Sequence, residues 1–156
     1  MTPARPAQAP NPYLRTKVMT ASPEELRLML LQGAERFAKA GRKELAAETP
    51  DLEKSHESLM KAQRIVVELS TSMNPRLAPE VVERLTALYT YIYKLLVDAN
   101  LTRELGPLDE AIHRIAYERE TWVLLMEQNR AEAGGDASGG AATTRQAALT
   151  AYPPAA

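Results

Sequence analysis

The chain contains no cysteine, so neither a disulfide framework nor thiolate chemistry is open to it. Two histidines in 156 residues, with no cysteine beside them, cannot build an ordinary zinc site. Charge of one sign is also lacking. With 19 basic and 20 acidic residues the formal net charge is −1, which gives no bias toward nucleic acid or an anionic membrane. No apolar run approaches the roughly 18 residues of a membrane span, and the opening MTPARPAQAP holds nothing that could serve as a signal peptide. There is no glycine-rich phosphate loop, since Gly134-Gly135 and Gly139-Gly140 have linker composition. These absences predict a soluble, cytoplasmic, one-domain protein with no cofactor, no nucleic-acid partner and no membrane insertion.

What is present is helical periodicity. Residues 1–10 hold three of the eleven prolines and almost nothing to bury, and residues 133–156 are rich in Gly, Ala, Ser and Thr without a sustained period, so both ends are expected to be disordered. A short cap segment at 11–21 leads into four helical patterns near 22–47, 50–73, 79–102 and 107–132, and proline stands at the start of each. In the first, Ser22 supplies an N-cap, Pro23 suits the first helical position, and Glu25 completes a capping box. Leu26, Met29, Leu30, Gly33, Phe37 and Leu45 then recur at helical steps with Gly41 on the same face. Glycines inside a helix each cost about 1 kcal/mol relative to alanine. Gly33 and Gly41 are therefore expected to mark the close approach of a neighbouring helix. The second pattern repeats Leu52, Leu59, Val66 and Met73, with Ala62 and Leu69 between. The third uses Val82, Leu85, Leu88, Tyr89, Ile92, Leu96 and Ala99, and the fourth Leu108, Ile112, Ile115, Trp122 and Met126. No strand pattern competes. Short links force neighbouring helices of roughly 36 Å to run antiparallel, so the fold class is all-α: an up-down-up-down four-helix bundle with an N-terminal cap and disordered tails.

Four-helix bundles can house di-iron centres on inward-facing Glu-x-x-His pairs. The chain contains Glu53-x-x-His56 and Glu110-x-x-His113. At about 100° per residue, all four side chains lie roughly 90° or more from the centres of their apolar stripes, and Glu83 and Asp98 also face outward. Surface carboxylates and imidazoles are the plainer reading. A bundle metalloenzyme remains only a remote alternative, and the expectation is no enzyme, no catalytic residue and no metal.

The third helix is apolar over too wide an arc. Leu88, Tyr91 and Leu95 extend its core face on one side, and Tyr93 and Val82 on the other, to roughly 200° where a helix that buries one face needs about 100°. The stretch Trp122-Val123-Leu124-Leu125-Met126 is apolar nearly all round. Either helix ends, tails or self-association shield this surplus, or it forms a groove for an amphipathic partner segment. Tyrosine and tryptophan suit a groove, because they combine contact area with a polar edge. Pro12, Tyr13, Leu14, Val18 and Met19 could fold back on such a groove, or Val18 or Met19 could simply staple the first helix.

Five pieces of the chain, in order and spacing, resemble the flagellar secretion chaperone (FliS) family over about residues 11–127. They are NPY at 11–13, VMTASPEEL at 18–26, KSHESLMKAQRIVVEL at 54–69, ALYTYIYKLLVDAN at 87–100 and RETW at 119–122. The resemblance implies an antiparallel helical bundle that binds the C-terminal segment of flagellin in the cytoplasm. It further implies that the chaperone blocks premature polymerisation and aids delivery to the type III export gate, whose components are further candidate partners. By the same resemblance Asn11, Pro12 and Tyr13 match the N-terminal cap motif, Tyr89, Tyr91 and Asn100 the third-helix motif, and Trp122 the fourth. Asn100 could equally be a helix-terminal hydrogen-bonding residue. The candidate partner surface is thus Tyr13, Val18, Leu88, Tyr89, Tyr91, Tyr93, Leu95, Asn100, Trp122 and Leu125, on a monomer or weak dimer. The chain departs from the family where LRTK follows NPY without a second tyrosine, at Leu31-Gln32, and at Leu77-Ala78 in place of a glycine pair. An adaptor for another export client or a regulator is the alternative function.

Overall fold

A computed structural model describes residues 11–135, so the expectations for residues 1–10 and 136–156 lie outside the described residues. It comprises five α-helices and, among the described residues, no strand. They are α1 (Pro12–Thr20), α2 (Pro23–Leu45), α3 (Leu52–Thr71), α4 (Pro79–Thr102) and α5 (Leu105–Gly135). No helix among the described residues is long and apolar enough to cross a membrane.

The helix starts follow local chemistry. In α1, Asn11 Oδ1 accepts from the Tyr13 N–H at 3.1 Å and Pro12 takes the first helical position. An Asn-Pro pair is a helix start, so the segment expected as a cap at 11–21 carries a helix of its own. Ser22 caps α2 as expected: its hydroxyl accepts from the Glu25 N–H at 3.2 Å, and Glu25 accepts from the Ser22 N–H at 2.9 Å. Asp51 caps α3 by accepting from the Lys54 N–H at 3.0 Å, so α3 starts beyond the Thr49-Pro50 pair. Pro79 opens α4. α5 begins at Leu105 and carries Pro107 in its first turn, where a missing N–H costs nothing. It continues to Gly135, past the boundary at 132 expected from composition, because Arg130-Ala131-Glu132-Ala133 are good helix formers.

α2 packs on α3 and α5, and α4 packs on the same two helices. Near the end of α2, Arg42 pairs with Asp109 in the first turns of α5, and the Gly41 carbonyl accepts from Ser55 Oγ of early α3 at 3.1 Å. Further along α5, Trp122 Nε1 donates to the Glu24 carbonyl of early α2 at 3.0 Å.

The core is built from Leu31, Ala34 and Ala38 of α2, Leu59, Ala62, Val66 and Leu69 of α3, Leu85, Tyr89, Ile92 and Leu96 of α4, and Leu108, Ala111 and Ile115 of α5. On α2 this differs from the expected face. Small residues occupy the centre, and Leu30, Phe37 and Leu45 flank it, half-buried. The two glycines explain the shift. A Cβ at Gly41 would stand 2.8 Å from Leu59 Cδ2 and 2.9 Å from its Cγ, so α3 presses directly on this backbone. At Gly33 the corresponding contact is a single Ile65 methyl at 3.3 Å.

Two acidic residues are buried that periodicity alone does not place inside. Glu118 lies at 1% exposure, hydrogen-bonded to Tyr89. Glu35 of α2 is met by Lys39 Nζ at 2.6 Å and by Arg119 Nε of α5 at 2.5 Å. Burial alone would raise its pKa, but hydrogen bonds and charge from Lys39 and Arg119 outweigh that and hold it below the usual carboxylate value.

Two outcomes follow. Gly41→Ala should lower stability by about 1–3 kcal/mol in urea unfolding through overpacking, despite the gain of about 1 kcal/mol from helix propensity, while Gly33→Ala should be near neutral. Equal losses at both positions would remove the close-approach account. Glu35 has a depressed folded pKa, so its stabilisation is present above the usual carboxylate range and lost as pH falls through the depressed value. Glu35→Gln should therefore cost about 1–3 kcal/mol at neutral pH and flatten the acid limb of a Tm-against-pH curve. An unchanged acid limb would show that Glu35 does not carry this linkage.

Candidate functional site

α4 is the element from which the candidate surface is built. Leu85, Tyr89, Ile92 and Leu96 set its inward line. Leu88, Tyr91 and Leu95 lie on one flank, and Arg114 of α5 marks that side, its guanidinium carbon 5.5 Å from the Tyr91 ring centroid. Tyr93 and Asn100 lie on the other flank, toward α3, where His56 Nδ1 and Asn100 Oδ1 are 3.0 Å apart. Two residues of helix separate Tyr91 from Tyr93 by about 160°. The surplus apolar surface is thus two lanes on opposite sides of α4 rather than one groove.

Within the lanes, Tyr91 and Tyr93 are 44% and 38% exposed. Leu88 and Leu95 are half-buried and pack against the core from the α5 side. Tyr117, 48% exposed on α5, is a further exposed aromatic outside the expected partner surface. Its signal was available as an aromatic outside the apolar stripe of its own helix. Val67, exposed on α3, was likewise passed over.

Tyr89 is a correction. At 1% exposure it belongs to the core, not to a partner surface. Its hydroxyl donates to Glu118 Oε1 at 3.0 Å and accepts from Arg27 Nη2 at 2.6 Å. Arg27 also reaches the Leu69 carbonyl at 3.4 Å and stacks between two rings, 5.5 Å from Tyr89 and 5.6 Å from Trp122. Trp122 is therefore half-buried and tied to the start of α2, away from the lanes flanking Tyr91 and Tyr93. Leu125 is half-buried, and Leu124, the residue before it, is exposed.

α1 does not cover the lanes. None of its residues is buried: Tyr13 and Met19 are 75% exposed, and Asn11, Pro12, Leu14 and Val18 are exposed as well. Asn11 is engaged in capping α1 itself. Neither the fold-back of the leader nor the staple is the arrangement here. The two Glu-x-x-His pairs stay apart and outward, with Glu53, His56 and His113 exposed and Glu110 bonded to Arg114 at 2.7 Å.

The family model of the flagellar protein FliS matches residues 6–129. The chain is also 35% identical over 135 residues to the flagellar secretion chaperone FliS of Bacillus subtilis (strain 168), a match that spans 85% of this chain and 97% of that protein. The chain belongs to the FliS family. It is accordingly a flagellar chaperone and not an enzyme, which fits a structure whose conspicuous features are apolar flanks.

In this FliS-family chain the two kinds of tyrosine should separate experimentally. Tyr89→Phe removes a hydroxyl bonded to both Arg27 and buried Glu118, and should cost about 1–3 kcal/mol of stability. Tyr91→Phe should leave the melting temperature unchanged. A Tyr89→Phe variant as stable as the parent would mean that the hydroxyl does not join the helices.

Proposed function

We propose that this chaperone binds the C-terminal segment of flagellin on the lanes flanking α4, holding it unpolymerised in the cytoplasm and aiding its delivery to the type III export apparatus. The observation that carries the reading is the apolar surface that α4 keeps outside the core, with Tyr91 and Tyr93 exposed and Leu88 and Leu95 half-buried. A terminal flagellin segment, disordered alone and helical in the filament, presents an apolar face that such a surface can sheath.

The architecture behind it is an antiparallel up-down-up-down bundle of α2–α5 within a unit spanning about 11–132. The reading is supported by the cyclic packing of α2, α3, α4 and α5 and by contacts that set the end of α2 beside the starts of α3 and α5, and the end of α4 beside the start of α3. Tyr91, Leu88 and Leu95 form the central contact, with Tyr93 and Asn100 on the far side. The reading further assigns to the client Tyr13 and Val18, exposed on α1, and Trp122 with Leu125, half-buried on α5 away from these lanes. The free protein acts as a monomer or weak dimer, and an export-gate component is its second partner.

Isothermal titration with the C-terminal segment of its own organism's flagellin should give a one-to-one complex with a negative heat-capacity change. Tyr91→Glu and Leu95→Glu should each weaken it by about 30-fold or more, the loss expected at an interface hot spot, with helicity unchanged. Retained binding in both variants would move the surface elsewhere. No heat at two temperatures with the parent protein would remove flagellin as the client and leave the adaptor reading.

A further inference from the structure

At one end of the molecule, where α2 finishes, α3 begins and α4 finishes, lies a cleft of about 160 Å³. Its apolar floor comes from Leu45, Leu52 and Ala99, and its polar wall from His56, Asn100 and Arg103. As oriented, Asn100 Oδ1 accepts from His56 Nδ1 at 3.0 Å, which leaves the two amide protons of Asn100 free to donate. Ser55, also in the wall, spends its hydroxyl proton on the Gly41 carbonyl.

Arg103 is the unusual member. It closes α4 in the left-handed region at φ 60°, the one non-glycine residue among those described with positive φ. Glycine or asparagine ordinarily takes this place, because a side chain there is strained. Among the described residues Arg103 joins no salt bridge. Asp51, an acid at the adjoining start of α3, is already engaged by the Lys54 N–H and ammonium. A strained backbone thus delivers an unpaired guanidinium to a small cleft whose other polar wall offers an amide donor.

We propose that this cleft is a carboxylate-binding site, with the Arg103 guanidinium and the Asn100 amide as the donors and the Leu45–Leu52 floor receiving the carbon skeleton beside the carboxylate. A single positive charge with planar donors matches a singly charged planar carboxylate. The volume admits one small residue. In the chaperone's work the carboxylate comes from the client, as its chain terminus or as an Asp or Glu side chain. That assignment of source rests on the flagellin reading, whereas the site itself does not.

The site is tested on the full chain without the client. N-acetyl-alanine carries a terminal carboxylate, N-acetyl-aspartic acid α-amide a side-chain carboxylate, and N-acetyl-alanine amide neither. Titrations followed by NMR should show saturable shifts of the Asn100 side-chain amide and Arg103 guanidinium with one or both acids, and none with the neutral amide. Arg103→Gln should abolish the Asn100 response while leaving the rest of the spectrum in place. Shifts of equal size with the neutral amide, or an Asn100 response surviving in Arg103→Gln, would overturn the proposal. So would the absence of any saturable shift. Which acid binds identifies the source. A flagellin segment carrying the preferred carboxylate should then lose roughly tenfold in affinity when that group is amidated, and only in the parent protein. A segment that binds equally well in both forms would confine the site to other ligands while leaving the lanes beside α4 intact.

Discussion

The hydrogen-bonded chain from the Leu69 carbonyl through Arg27 and Tyr89 to Glu118 is the constraint on which the rest of the structure depends. It touches α3, α2, α4 and α5 in turn, at one level of the molecule. Apolar stripes alone define a helix–helix interface loosely, because Leu, Ile and Ala can slide a turn and find equivalent neighbours. A buried carboxylate and phenol cannot. Moving α4 by one turn would strand Glu118 and the Tyr89 hydroxyl without each other, at a cost of a few kcal/mol for each unsatisfied group. The chain therefore fixes register, and register decides which residues of α4 face outward. Tyr91 and Tyr93 are exposed because Tyr89 is held inward.

Trp122 joins the same chain from the outside, stacked on Arg27 and bonded to the Glu24 carbonyl. The first turn of α2 is thereby attached to α5 just where α1 leaves the body of the molecule. α1 buries nothing, and its apolar residues Tyr13, Leu14, Val18 and Met19 stay exposed beside a firmly held junction. A helix of nine residues without tertiary support is marginal in water. Its residues are correspondingly available to a partner at little cost in stability to the rest.

Much of this was legible in the sequence. The capping box at Ser22, the proline at the start of α4, the inward line of Leu85, Tyr89, Ile92 and Leu96, and the close approach at Gly41 all follow from local rules. Tyr91, Leu88 and Leu95 were recognisable as surplus because a helix can bury only part of its circumference. Other features depend on long-range pairing, which no single helix displays. Glu118 sits on a polar-looking position until the Tyr89 hydroxyl across the interface accounts for it. Arg27 reads as a surface cation until two rings and a carbonyl gather round it. The face of α2 was misplaced for a related reason: hydropathy favours the larger Leu30 and Phe37, whereas close packing selects Ala34 and Ala38.

That choice on α2 also accounts for the surplus on α4. Gly33, Ala34, Ala38 and Gly41 bring α3 against the α2 backbone, so this half of the core is filled by few atoms. A narrow core cannot receive every large apolar side chain that four long helices carry. Those of α4 already occupy its inward line with Leu85, Tyr89, Ile92 and Leu96. Leu88 and Leu95 then fit only at the margin, and Tyr91 and Tyr93 not at all. Filling α2 with larger residues would not cover them. It would push α3 away and break the level at which Arg27 meets Leu69 and Tyr89. Close packing on one side and exposed apolar surface on the other are therefore two consequences of the same small residues. The client binding proposed above, an apolar segment held on a surface that does not collapse onto itself, draws on both.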